Sequence, residues 1–313
     1  MITRDDVDTA VPRISGHVRR TPLAEVEAGS FPGQVWLKCE FMQHTGSFKA
    51  RGAFNRILTA RELGDLDPAV GIVVASGGNA GLANAYAAAT LGVPATVYLP
   101  TNAPPVKVAM LRALGARVVS HGEEYAEAYE AAVKHAADTG AVYCHAYDQP
   151  EIAAGAGTLG LEILSQLGGE NVDTIVLAVG GGGLMAGVAA AVEGIARVVA
   201  VEPEAIPTLH AALAHGGPVD VAVSGIAADS LGARRIGDIA YAVAVRTGVH
   251  SVLVRDEDII AARKALWEHR RIAVEHGTAA ALAALTTGVY RPQPGERVVV
   301  VLCGANTNPA DLA

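Results

Sequence analysis

The sequence predicts an α/β protein with parallel sheets covered by helices on both faces, and three observations predict it. Short β-branched runs alternate with alanine-rich stretches of helical spacing. The most apolar runs are continuous, the pattern of a strand buried on both faces. Glycine is abundant, at 35 of 313 residues, and clusters where the runs change character, as tight turns and close backbone approaches require.

The first series reads Gly71-Ile72-Val73-Val74-Ala75 as a strand, 80–91 as a helix and 95–99 as a strand. A helix over 105–114, a strand over 116–119 and a helix over 123–138 follow, with glycine or proline in the gaps. A second series begins near Gly157, with strands at 174–179, 197–202 and 297–302 apolar enough to be central. Two such series predict two doubly wound domains, with ligands in the crevice at the carboxyl ends of the strands.

Composition narrows the partners. At 51% hydrophobic, the chain holds ample core for two modest domains or one large one. A net charge of −8, with no long cluster among 24 Lys and Arg, argues against a nucleic-acid binder, and a small-molecule partner is expected. Cys39, Cys144 and Cys303 are too scattered for a disulfide framework. The ten histidines show no metal-ligating spacing, so no metal site is expected from them. The charged start Met1-Ile2-Thr3-Arg4-Asp5-Asp6 lacks a signal peptide's apolar segment, and a soluble cytoplasmic protein is expected. Residues 175–192 carry no charge over 18 positions, long enough to weigh as a membrane span. Four central glycines would each cost a helix about 1 kcal/mol, so strand, loop and helix is the reading.

Four segments could carry chemistry. Lys49 lies in Thr45-Gly46-Ser47-Phe48-Lys49-Ala50-Arg51-Gly52, and the spacing of Ala50, Ala53, Phe54, Ile57 and Leu58 predicts a helix with Ser47 as N-cap. A first-turn ammonium faces the positive end of the helix dipole, which favours the neutral amine that attacks an aldehyde. An ordinary exposed lysine is the plainer alternative. Ala75-Ser76-Gly77-Gly78-Asn79-Ala80-Gly81 joins strand to helix, where amides and side chains can grip a carboxylate or simply cap the helix. Gly180-Gly181-Gly182-Gly183 joins a buried strand to a helix, and bare amides there can surround a phosphate. Gly181, Gly183 and Ala186, with Glu202 ending the next strand, also fit a dinucleotide fingerprint, so a nicotinamide-dependent (NAD) dehydrogenase is a rival class. Cys303 ends a strand at a sheet's carboxyl edge, facing a ligand or packing as a small apolar residue.

Taken in order, these segments resemble the serine and threonine dehydratase family of pyridoxal-phosphate (PLP) enzymes, of the tryptophan-synthase-β fold type (fold type II), to which serine racemase is related. The likeness runs from Thr21-Pro22-Leu23 to Cys303-Gly304-Ala305-Asn306. It implies pyridoxal 5'-phosphate held by Lys49 as a Schiff base, with Phe48 by its ring and Asn79 on its phenolic oxygen. Gly180, Gly181, Gly182, Gly183 and Leu184 would hold the phosphate and Cys303 would face the pyridine nitrogen. Ser76, Gly77, Asn79 and Ala80 would meet the substrate. The resemblance further implies a large PLP-binding domain of 1–66 and 147–313, a small substrate-binding domain of 67–146, and a homodimer. The implied reaction converts L-threonine, L-serine or a related 3-hydroxy amino acid to a 2-oxo acid and ammonia, the freed Lys49 amine removing the α-proton. A thiol cannot protonate the ring as an aspartate does, which suits elimination.

The departures are informative. Gly77 stands where serine racemase has a second serine serving as the opposite-face acid and base, and Ala80 where racemases and biosynthetic threonine dehydratases have histidine. Glu202-Pro203 matches the start of the racemase cation motif, but Thr208 replaces its aspartate, which argues against a divalent ion and leaves a carbonyl-held monovalent ion open. Serine racemase and a β-substituting synthase are the alternatives inside the enzyme class; a dehydrogenase and a non-catalytic binding protein stand outside it.

Overall fold

The computed structural model describes residues 1–168 and 172–312. Its strands are β1 (Leu23–Glu25), β2 (Gln34–Lys38), β3 (Ile72–Ala75), β4 (Ala95–Leu99), β5 (Arg117–Ser120), β6 (Val142–Tyr143), β7 (Thr174–Ala178), β8 (Arg197–Pro203), β9 (His250–Val254) and β10 (Arg297–Val301). They form two sheets, in the orders β1-β2-β10-β7-β8-β9 and β5-β4-β3-β6. Among the described residues every strand pair is parallel except β1–β2.

Alternate residues of the central strands face different cores, as in a doubly wound sheet. Ile175 and Leu177 of β7 pack with the helices Arg4–Ile14, Pro150–Gln166, Gly183–Ala191 and Asp238–Thr247. Val176 and Ala178 pack with Asp256–Arg270 and His276–Thr286 on the other side. In the smaller sheet Ile72 and Val74 meet Lys49–Leu63 and Asn79–Leu91, whereas Val73 and Ala75 meet Tyr125–Thr139.

The strands read from the sequence are present within a residue or two, and β10, β7 and β8 lie centrally as expected. The helix expected over 123–138 begins at Tyr125, because the backbone N–H groups of Glu123 and Glu124 both donate to the Glu127 carboxylate, at 2.7 and 3.0 Å. That side chain closes the turn ahead of the helix. The uncharged run 175–192 divides into β7, a glycine loop and a helix, and no helix among the described residues is long and apolar enough to cross a membrane.

The helix Lys49–Leu63 is seated by close contact and by charge. A Cβ on Gly155 would lie 2.6 Å from the Arg51 carbonyl oxygen and 2.8 Å from Asn55 Cβ, so the helix Pro150–Gln166 meets it backbone to backbone. Arg51, which is 1% exposed, donates to both oxygens of Glu40 (2.6 and 3.0 Å) and to Glu162 (3.0 Å), and Lys38 donates to Glu162 at 2.5 Å. Two cations balance two carboxylates, as burial of charge requires. This cluster fixes the first turn of the helix that begins at Lys49.

Candidate active site

The chain entering that helix is stitched to the chain leaving β10. Ser47 bridges Gly304, the Phe48 N–H donates to the Cys303 carbonyl at 3.0 Å, and the Ala305 N–H donates to the Gly46 carbonyl at 2.9 Å. Ser47 is not the N-cap the sequence suggests: Phe48 holds that position, and the buried Ser47 hydroxyl has no partner among the described residues. The extended backbone that lets Ser47 pair with Gly304 turns its side chain away from the helix's first amides.

Lys49 is the first residue of the helix, and its Nζ donates to the Ala146 carbonyl at 2.7 Å and lies 5.0 Å from the centre of the Phe48 ring. Burial lowers the amine from 10.5 to about 8, with Cys303 and Glu275 opposing the shift. A lysine in that range keeps a useful neutral fraction near pH 7, as a nucleophile requires.

Asn79 opens the helix after β3, behind the turn Ser76-Gly77-Gly78. No side chain caps this helix, so neither Ser76 nor Asn79 is the cap that the sequence allows. The Ser76 hydroxyl accepts from the Gly78 N–H at 3.3 Å. Asn79 Nδ2 lies 2.9 and 3.0 Å from the two carboxylate oxygens of Glu275, and its Oδ1 accepts from Asn306 Nδ2 at 2.6 Å. Gly77 faces Leu99 and the Lys107 stem, and Ala80 is buried one position into the helix.

The glycine loop leaves its amides unpaired among the described residues. The Gly180 carbonyl accepts from the Thr208 hydroxyl at 2.7 Å and the Gly181 carbonyl from the Gly237 N–H at 3.1 Å, so the carbonyls are tied back. The N–H groups of Gly181, Gly182, Gly183 and Leu184 meet no acceptor among the described residues. Gly182 is left-handed (φ +86°), and a Cβ on Gly181 would lie 2.3 Å from Tyr147 Cγ, so bare backbone is required where Tyr147 covers the loop. Orphan amides at a helix N-terminus fit a phosphate. Ala146, which accepts from Lys49, immediately precedes that tyrosine, which brings amine and cradle together.

Cys303, just past β10, lies 3.3 Å from the Thr278 hydroxyl, and burial pushes its thiol up to about 12, so it stays neutral. Lys49, Phe48, Asn79 and Cys303 thus converge through direct contacts or shared partners, and Tyr147 links them to Gly180–Leu184. Ala146, Tyr147, Thr278 and Glu275 carry no sequence signal, because the contacts that define them span long stretches of chain. Asn306 was visible only as the end of a motif.

Glu202 settles the rival reading of this loop. It is fully buried, and its oxygens take the Leu209 N–H (2.7 Å), the His210 N–H (2.9 Å) and the Thr208 hydroxyl (2.9 Å). Fully buried and turned to the start of the following helix, it is out of reach of a nucleotide ribose, which a dehydrogenase needs it to bind. Thr208 has one proton yet touches both Glu202 and the Gly180 carbonyl. That proton is shared between the two acceptors, and a second full hydrogen bond there requires a proton on Glu202, whose carboxyl burial raises to about 7. No group of metal-ligating side chains occurs among the described residues.

A half-buried amine of lowered proton affinity near amides that fit a phosphate points to a class of enzyme, and the sequence agrees: residues 14–304 match the family described as "Pyridoxal-phosphate dependent enzyme", and the chain belongs to that family. Pyridoxal phosphate is accordingly its cofactor. Among its relatives, it is 35% identical over 311 residues to the L-threonine ammonia-lyase of Thermotoga maritima, covering 98% of this chain and 76% of that one. It is 37% identical to the phenylserine dehydratase of Ralstonia pickettii, covering 96% and 92%. The T.th. threonine deaminase superposes with a TM-score of 0.89 at 33% identity (98% and 99% covered), and the serine racemase of Dictyostelium discoideum with 0.90 at 28% (98% and 99% covered).

Proposed function

We propose that this chain is a pyridoxal-phosphate-dependent ammonia-lyase that converts L-threonine, L-serine or a related 3-hydroxy amino acid to the 2-oxo acid and ammonia. The observation that carries the reading is the half-buried Lys49 amine, held on the Ala146 carbonyl next to Tyr147 and lowered by desolvation to about 8, with the unpaired amides of the glycine loop under that same tyrosine. Its relatives named for threonine and phenylserine set the substrate class.

When bound, the cofactor supplies an electron sink for the pair left at the substrate's Cα. Lys49 holds it through Nζ, and Gly180, Gly181, Gly182, Gly183 and Leu184 fix its phosphate. Phe48 would pack by its ring, Asn79 would donate to the phenolic oxygen, and the neutral Cys303 thiol would face the pyridine nitrogen. Ser76, Gly77, Asn79 and Ala80 surround the substrate carboxylate. The free Lys49 nitrogen would take the α-proton, and the resulting ammonium would supply the proton with which the β-hydroxyl leaves as water. Residues 1–66 with 147–313 form the cofactor domain and 67–146 the substrate domain in this reading, which takes the protein to be a cytoplasmic homodimer.

Serine racemase is the second reading, favoured by the structural likeness at 28% identity. Gly77 and Ala80 weigh against it, because neither supplies an acid or base on the face opposite Lys49. Purified holoenzyme given L-threonine and L-serine is expected to release 2-oxo acid and ammonia well in excess of any D-serine. Predominant D-serine would overturn the assignment.

A further inference from the structure

Asn79 can donate to a cofactor oxygen only through Nδ2, so the direction its amide faces matters. A carboxylate only accepts, which obliges Nδ2 to face Glu275, at 2.9 and 3.0 Å from its two oxygens. These near-equal distances suit one N–H shared between both oxygens, leaving the second N–H free. On the other side, Oδ1 accepts from Asn306 Nδ2 at 2.6 Å, and the remaining Asn306 proton goes to the Thr45 carbonyl at 2.7 Å. The Asn306 backbone N–H also donates to Glu275 at 2.9 Å. Glu275 is 5% exposed, and a Cβ on Gly304 would come within 2.8 Å of its Oε1, so the carboxylate has little room to swing.

We propose that Glu275 is a positioning residue, which clamps the Asn79 amide with its free N–H directed at the cofactor's phenolic oxygen. The proposal rests on the reading of Asn79 as a cofactor contact. Glu275 touches no reacting atom in this account and acts through Asn79. The charged and titratable groups that face it are Lys49, Cys303 and Asp229, the last paired with Lys107. Its carboxylate therefore also favours the protonated state of the Lys49 nitrogen. Glu275→Gln weakens both effects: one of the two acceptors facing Asn79 becomes a donor, and the charge is lost.

The test uses holoenzyme of wild type, Glu275→Gln, Asn306→Ala, Asn79→Ala and the double variant Glu275→Gln/Asn79→Ala. Cofactor dissociation constant, pH titration of the visible band, and kcat and KM are measured for each. Glu275→Gln is expected to lower the midpoint of the band's titration and to weaken cofactor binding about tenfold, the scale of a lost charge-assisted hydrogen bond. Its kcat falls more than its KM rises, and the double variant binds cofactor no more weakly than Asn79→Ala alone. Asn306→Ala, which frees the other end of the amide without removing charge, is expected to weaken cofactor binding in the same way, and it decides the question if Glu275→Gln does not fold. A band and cofactor affinity unchanged in Glu275→Gln or Asn306→Ala, but changed in Asn79→Ala, overturn the clamp alone. Unchanged behaviour in Asn79→Ala overturns the Asn79 contact and the clamp with it.

Discussion

Apoenzyme stripped of cofactor should recapture it with a pH dependence set by Lys49. With the amine at about 8, roughly one molecule in ten carries it neutral at pH 7, against about one in three thousand for a lysine at 10.5. That is an advantage of about 300-fold at pH 7, shrinking to about 4-fold at pH 10, where the ordinary lysine is also largely neutral. The recapture rate is followed by stopped-flow absorbance from pH 6 to 10 and divided by the rate for Nα-acetyl-lysine under the same conditions, which cancels the cofactor's own ionisations. The ratio should fall about 70-fold between pH 7 and 10. A ratio flat across that range means an ordinary lysine and refutes the claim that burial prepares Lys49.

Three further outcomes are expected. Gly77→Ser should raise D-serine formation relative to elimination by chiral chromatography; its Cβ would stand 3.0 Å from Leu99 Cδ2, so a small shift of that leucine admits it, and an unchanged ratio counts against the opposite-face argument. Glu202, raised by burial to about 7, binds its proton more tightly folded than unfolded, so its contribution to stability is full below 4.5 and is lost as pH rises to about 7, by about 3 kcal/mol. Urea denaturation at pH 5 and 7.5 should show that slope in wild type and its loss in Glu202→Gln, whatever that variant's absolute stability; equal slopes dispose of the idea. Arg51→Met leaves the buried Glu40 without its cation and should cost about 3–5 kcal/mol of unfolding free energy, whereas a loss under about 1 kcal/mol would show that the cluster does not anchor the helix.

What the sequence made legible follows from how local each signal was. The runs at 72–75 and 95–99 are β-branched and continuous, so propensity and burial agree, and β3 and β4 stand where they were read. β2 was missed because a fully buried lysine, Lys38, sits in it, paired with a glutamate 124 residues away. β9 is an edge strand with exposed and half-buried positions, and β6 has only two residues, too short for any period. The glycine loop was readable because a backbone that must approach closely admits no side chain. Ser47 misled because a sheet-like bridge to Gly304 overrode its capping propensity. Glu275 left no trace, since the contact that gives it meaning spans 196 residues.

The most direct test of the central claim is the pair Lys49→Ala and wild type, each loaded with pyridoxal phosphate, gel-filtered, and examined for visible absorption and for 2-oxo acid release from L-threonine. Wild type should be yellow and active, and Lys49→Ala should retain neither the band nor turnover. A Lys49→Ala protein that keeps the same band and releases 2-oxo acid at the wild-type rate would contradict the account.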